Sequence, residues 1–226
     1  MPVIKIGRLV SCYIVREVPG KDMYLALIEG TGLLGYLPKM SAYKKYRERE
    51  ECTAAVFVIR DGKIFLSQRS PQFFRRVAEA VLSPPIRDGK IRVRRAASIA
   101  NSAFAKVSVE GLGGLDPLTV SLQYLEKVKN YTGDTITIVR YSPDIKEYIV
   151  NALVPAPAEK VVHVLYSHSL REAIVRVDPQ YCGFFVGKGG SNVATAAKLL
   201  DLKILIKSAE QNIYGPGKAR GLARCC

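Results

Sequence analysis

No apolar run in this sequence approaches the roughly 18 or more residues of a membrane-spanning helix. The opening Met1-Pro2-Val3-Ile4-Lys5 has neither the basic segment nor the long apolar core of a secretory signal. A chain with no membrane association, soluble in the cytoplasmic compartment where it is made, is the expectation. Metal-binding patterns are missing as well. The five cysteines form no C-x-x-C, and His163 and His168, the only histidines, are not at ligand spacing to any of them. Two histidines in one strand region cannot readily build a nucleophile–base–acid constellation, so we expect no catalytic residue, no metal, no cofactor and no enzymatic activity. Acidic residues are in the minority. Lys plus Arg number 34 against 20 Asp plus Glu, a net charge of +14 that favours a polyanionic partner, nucleic acid or an anionic membrane. Disorder is excluded by the 48% of apolar residues.

Five segments in residues 1–68 read as short strands: Ile6–Val18, Met23–Glu29, Leu33–Pro38, Thr53–Arg60 and Lys63–Gln68. Gly20-Lys21-Asp22, Gly30-Thr31-Gly32 and Asp61-Gly62 supply the turns. Five strands in so short a span suit a small closed barrel of the OB type. The charged segment Ser41–Glu51 shows no clear apolar face and is expected as a surface loop or short helix. Cys12, Cys52 and Cys182 lie in apolar stretches and read as buried thiols.

Beyond the barrel the sequence repeats itself. Ser70-Pro71 and Tyr141-Ser142-Pro143 open two similar segments 72 residues apart, and Ser followed by Pro is a helix start, with Ser as the cap. The same offset pairs Phe73 with Ile145, Val77 with Ile149, Ala80 with Ala152, Val81 with Leu153 and Pro85 with Pro157, the spacing of a helix face. Strands follow at Lys90–Ala96 and Ala103–Val109, and again at Lys160–Tyr166 and Glu172–Asp178. Helical sequence then covers Asp116–Tyr131 and Pro179–Leu200, before closing strands at Thr135–Tyr141 and Leu202–Lys207. The order α-β-β-α-α-β, twice, describes an α+β unit with helices on one face of a three-stranded sheet.

Within the second copy stands Gly187-Lys188-Gly189-Gly190, between the apolar Tyr181–Val186 and a helix over Ser191–Leu200. Glycines cost helix stability, so this placement makes sense where a nucleic-acid backbone must come very close. Exposed amides would then face a phosphate at the positive end of the next helix, with the charge of Lys188 added. The superficial likeness of Gly183–Gly189 to a nucleotide phosphate loop fails. Three residues instead of four precede Gly187-Lys188, and Gly189 stands where Ser or Thr is needed.

An α-β-β-α-α-β unit with G-x-x-G between its central helices resembles a type II KH domain. A five-stranded OB barrel of the S-one type ahead of two such domains resembles the RNA-binding body of the NusA family of transcription elongation, termination and antitermination factors. The likeness rests on Gly32–Lys39, Phe65–Pro71, Ile136–Tyr141, Ile149–Leu153 and Val186–Val193 followed by Ala196–Leu199, and covers about residues 4–208. It implies a multidomain protein, with the barrel at 1–68, a first KH domain at 69–141, a second at 142–208 and a flexible basic tail at 209–226 that ends in Cys225-Cys226. The first KH copy is expected to be degenerate. Leu115-Asp116-Pro117-Leu118 lies opposite the glycine loop, and Asp116-Pro117 reads as a helix cap and first turn. The barrel begins almost at Met1, without the amino-terminal polymerase-binding domain usual in the family.

The resemblance implies non-enzymatic binding of single-stranded nascent RNA by a monomer, with RNA polymerase and other Nus-type factors as partners. Polymerase contact through an amino-terminal domain is not expected. An RNA-binding module of ribosome-associated or RNA-decay machinery is the alternative. Carried onto this sequence, Gly187, Lys188, Gly189 and Gly190 form the clamp, and Ser191 and Asn192 are donors to phosphate or a base edge. Val186, Val193, Ala194 and Ala197 line a groove, with Ile204 or Leu205 beneath. Lys198 and Lys207 either reach phosphate or are solvated. In the barrel Tyr24, Tyr36 and Phe65 are aromatic candidates with Arg69 nearby. The tyrosines suit either a base stack or a core edge, and Phe65 is expected in the core.

Overall fold

A computed structural model describes residues 4–99, 104–132 and 135–209. The basic tail, Cys225-Cys226 and Ala103 lie outside the described residues. The five expected barrel strands form at β1 (Leu9–Glu17), β2 (Met23–Ile28), β3 (Leu34–Pro38), β4 (Glu51–Arg60) and β5 (Lys63–Ser67). They close in the order β1-β2-β3-β5-β4, antiparallel except for the β3–β5 seam. Alternation puts Val10, Cys12 and Ile14 of β1 inside and Ser11, Tyr13 and Val15 outside. Asp61-Gly62 turns β4 into β5 with both residues at positive φ, as a two-residue hairpin requires. Cys12, Cys52 and Cys182 are buried thiols, as expected.

The segment after β3 is the mostly exposed loop that its charges predict, except at two residues. Ala42 and Tyr46 enter the barrel core. Tyr24 accepts a hydrogen bond from the Tyr46 amide at 3.2 Å, and the two rings meet edge to face at 5.9 Å. Gln68 holds the segment from below. Its Nε2 donates to the Thr53 carbonyl at 2.8 Å, its Oε1 accepts from the Tyr43 amide at 3.2 Å, and its amide meets the Tyr46 hydroxyl. Two spaced apolar anchors in a basic run are enough to pin it to the barrel, because a tyrosine is amphipathic and Lys44, Lys45 and Arg47 stay in solvent.

Two α/β units follow. The first comprises α1 (Pro71–Val81), α2 (Ser83–Arg87), β6 (Ile91–Ser98), β7 (Phe104–Gly111), α3 (Pro117–Ser121), α4 (Leu125–Thr132) and β8 (Thr135–Arg140). The second comprises α5 (Ile145–Ala152), β9 (Val161–Ser167), β10 (Glu172–Val177), α6 (Cys182–Val186), α7 (Ser191–Leu200) and β11 (Lys203–Ser208). Each sheet has three strands, a hairpin plus a parallel closing strand on the middle one, in the orders β6-β7-β8 and β9-β10-β11. Ser70 caps α1 by accepting from the Phe73 amide, with Pro71 at the first position. The second Ser-Pro does not repeat this. Asp144 takes the cap by accepting from the Lys146 amide, and α5 starts two residues later than the repeat predicts. Ser142 instead donates to Glu147 at 2.7 Å. Asp116-Pro117 caps and opens α3, as read from the sequence.

Three cores hold these parts. One fills the barrel; one lies between α1, α4 and the first sheet, with Phe73, Phe74 and Val107. The third lies among α5, α6, α7 and the second sheet, and takes in Ala97 and Val139 from the back of the first sheet. Helix α7 thereby lies across β6 and β7, and α5 against β8. No described helix is long and apolar enough to cross a membrane.

Replacing Gln68 by Ala strands the Thr53 carbonyl and the Tyr43 amide, which should cost about 2 kcal/mol of unfolding free energy in a urea titration. A change below about 0.5 kcal/mol would show that water replaces the side chain without loss.

Candidate nucleic-acid interface

Helix α6 stops at Gly187, whose φ of 76° and ψ of 168° are open to glycine alone among ordinary residues. A single turn over Lys188–Gly190 follows, with Gly189 and Gly190 also at positive φ, and α7 begins at Ser191 without a side-chain cap. The turn ties back through the Gly187 amide to Gly183 and the Gly190 amide to Gly187. Lys188 and Gly189 are exposed. The uncapped amino-terminal end of a ten-residue helix thus carries an exposed ammonium beside it, an arrangement that attracts anions.

The glycines do not share one purpose. A Cβ on Gly187 would stand 2.7 Å from the Asn192 Cβ and 2.8 Å from its amide nitrogen, so this glycine is demanded by internal packing. A Cβ on Gly189 or Gly190 would meet nothing within 4 Å. Only there is the space in front of the backbone free for another chain.

Asn192, expected to face a ligand, is buried instead at 4% exposure. Its Nδ2 donates to the Leu153 carbonyl at 2.8 Å and the Phe185 carbonyl at 3.1 Å, and its Oδ1 accepts from Lys106 at 2.7 Å. Its role is to hold the turn from behind. Ser191, Val186 and Ala197 are half-buried, Ala194 is exposed, and Val193 packs partly against the core. Of the alternatives beneath the helix, Ile204 belongs to the core and Leu205 is half-buried on the other face of β11. Lys198 leans across to the Ser98 carbonyl of β6 at 3.5 Å, and Lys207 is exposed.

Lys106 gave no sign of itself beyond being a charge within an apolar strand. It is fully buried on β7, and its ammonium donates to the Ala152 carbonyl, to the Val154 carbonyl at 2.6 Å and to Asn192. Burial lowers its pKa from 10.5 to about 7. Three donors meet three oxygens, so the first unit is tied through Asn192 to the glycine turn of the second.

A second feature went unread. Phe184 is 66% exposed on α6 and lies 5.9 Å from the Tyr181 ring at 37°, while Lys160 stands 4.9 Å above Tyr181. An exposed phenylalanine beside a half-buried tyrosine with a cation over its ring, one helical turn before Gly187, is a surface on which a base can stack. The Phe184-Phe185 pair was the available signal, since neighbours on a helix cannot both face the core.

The barrel candidates divide. Tyr24 is 2% exposed and belongs to the core, so it offers no stacking face. Tyr36 is half-buried on the outer face and stacks, tilted by 34°, against Phe65 at 5.8 Å. Phe65 is therefore outside the barrel core, where it had been expected. The Nε of Arg69 donates to the Ala42 carbonyl at 2.9 Å, tying the exit from the barrel to its inserted segment. These residues belong to strands of the barrel and its exit, not to the α6–α7 turn.

Architecture and site together define a cationic multidomain protein, a closed five-stranded barrel with two mixed α/β sheets, presenting a glycine–lysine turn at a helix start. The chain is NusA-like over nearly its whole length. It is 27% identical over 220 residues, 92% of this chain, to the transcription termination/antitermination protein NusA of Borreliella burgdorferi. It is 29% identical over 86% of its length to the protein of that name in Bacillus subtilis. The chain spans about half the length of these curated relatives, 44% and 54%. No protein-family model matches it. A solved structure titled "Crystal structure of APE1850" covers 61% of this chain and 97% of its own at 16% identity, with a TM-score of 0.44, too low to bear on fold or function.

Two outcomes test this geometry. Gly187→Ala should cost about 2 kcal/mol more than Gly189→Ala in thermal or urea unfolding, because only the first adds a clash to the backbone strain. Equal costs would mean that the contact with Asn192 relaxes freely. Between about pH 7 and the ordinary lysine value, the unfolded chain binds a proton at Lys106 that the folded chain does not. Stability from this residue therefore rises with pH across that window. The wild type should gain stability between pH 7 and pH 9 relative to Lys106→Met; parallel curves would mean that Lys106 stays charged in the fold.

Proposed function

We propose that this chain binds single-stranded RNA and acts, like the NusA proteins it is similar to, in transcription elongation, termination and antitermination, without enzymatic activity of its own. On this reading the barrel, residues 1–68, is an OB-type fold, and residues 69–141 and 142–208 are two type II KH domains. The first is degenerate and serves as a support. The observation that carries the reading is the exposed turn at Gly187–Gly190, set at the open end of α7 in a chain of net charge +14.

The RNA backbone runs past Gly189 and Gly190, where no side chain stands in the way, with a phosphate near the α7 amides and Lys188. Ser191 opens the helix beside it, and Val186, Val193 and Ala197 offer an apolar flank to the bases. Phe184 and Tyr181 extend that flank as a stacking surface. Asn192 and Lys106 act behind the turn by holding it in place. Lys198 and the Tyr36–Phe65 face of the barrel contribute to a longer RNA track. RNA polymerase and other Nus-type factors are the expected protein partners.

Fluorescence anisotropy with a labelled single-stranded RNA tests this. We expect micromolar-range affinity that falls steeply between two salt concentrations, as phosphate contacts release counterions. Lys188→Asp with Gly189→Asp should weaken RNA binding tenfold or more while the melting curve stays close to wild type, since position 189 is open and Asp tolerates a left-handed backbone. Unchanged affinity in the folded double variant would remove the clamp. Co-purification with ribosomes in place of polymerase would remove the transcription assignment.

A further inference from the structure

The two α/β units share a sheet plan but differ in what covers the second face of the sheet. In each, the middle strand sends alternate residues to its own helices: Ala105, Val107 and Val109 of β7, and Ala173, Val175 and Val177 of β10. On the opposite face of the first sheet stand Lys106 and Ser108. That face is closed by α5 and α7 of the second unit, with Lys106 bonded to Asn192 and Ser108 to the Tyr148 hydroxyl at 2.7 Å. The corresponding positions on β10 are Ile174 and Arg176, and here no described element packs on the face; α5, α6 and α7 all contact this sheet from its other side.

The strand register sorts this bare face into rows. Leu165, Ile174 and Leu205 lie side by side across β9, β10 and β11. Two residues along stand His163, Arg176 and Lys207, again one from each strand. Leu165 is 42% exposed, His163 and Lys207 are exposed, and Ile174, Arg176 and Leu205 are half-buried. Among the described residues no carboxylate pairs with Arg176 or Lys207, whereas Glu172 at the far end of the face is already paired with Lys203 at 2.9 Å.

We propose that this sheet face is a protein-docking surface for an acidic amphipathic helix, which lays its apolar side on the Leu165–Ile174–Leu205 row and its carboxylates against Arg176 and Lys207. Helical form follows from the molecule itself, which closes the equivalent face of its first sheet with helices. The acidic character follows from charge complementarity with the unpaired row. A second copy of the chain does not serve, because its α5 and α7 are already seated on its own first sheet. RNA fits less well, since His163 is the one aromatic ring in the two rows and the row beside it is wholly aliphatic.

The test uses the full chain and a synthetic amphipathic helical peptide with Leu at i, i+3, i+4 and i+7 and Glu along both flanks, beside a control with Lys in place of Glu. In anisotropy titrations the Glu peptide should bind wild type at least tenfold more tightly than the Lys peptide. Arg176→Glu with Lys207→Glu should invert that preference and weaken RNA binding less than the Lys188→Asp, Gly189→Asp variant does. Arg176→Ala with Lys207→Ala serves if the charge reversal lowers the melting temperature, and should abolish the preference. The Lys188→Asp, Gly189→Asp variant should keep peptide binding, so loss of the RNA reading and loss of this one are told apart. Equal binding of both peptides to wild type would overturn the proposal. So would Arg176 and Lys207 variants that lose RNA and leave the peptide unaffected, which would assign the face to nucleic acid.

Discussion

A lysine amine buried without a carboxylate ties the two α/β units together. Lys106 enters from the first sheet, meets two carbonyls at the end of α5 and just beyond it, and reaches Asn192 near the start of α7. Asn192 then grips the carbonyls that end α6 and leaves no room for a side chain on Gly187. A buried amine is tolerable only if its polar atoms are bonded, so this contact admits little variation in how the units sit. The exposed turn gets its geometry from that buried chain of contacts.

The same seam explains the unequal faces of the two sheets. Covering the first sheet with α5 and α7 gives those helices two jobs, core of their own unit and lid of its neighbour, which is why Ala97 and Val139 share a core with Phe185 and Leu199. Repetition of a unit whose helices roof the previous sheet always leaves one sheet without a roof. Here that sheet displays an apolar row beside a cationic row, on the side away from the helices that carry the glycine turn.

Much of the fold was legible because local rules and tertiary burial agree. Short strand-type segments between glycine-containing turns marked the barrel strands, Asp61-Gly62 one hairpin, and Ser70-Pro71 and Asp116-Pro117 two helix starts. The misreadings have a common origin. Tyr24 and Phe65 are both aromatic residues in barrel strands, and alternation does not say which face of a strand turns inward; the structure buries the first and leaves the second half-buried on the outer face. Tyr46 looked solvated among its charged neighbours until the barrel offered it a hydroxyl partner in Gln68. Ser142-Pro143 repeated a motif, but Asp144 was a competing cap one residue further on.

Composition and spacing alone established a cationic, folded chain of strands followed by a doubled α-β-β-α-α-β pattern, with a glycine–lysine turn between two helices. These properties depend on neighbours in sequence: charge is additive, alternation is local, and a cap acts within one turn. Which glycines have open space in front of them, why Asn192 turns inward, where Lys106 goes and which sheet stays bare were settled only when segments tens of residues apart came into contact. Burial and hydrogen-bond satisfaction are properties of the whole packed chain, and no window of sequence contains both partners.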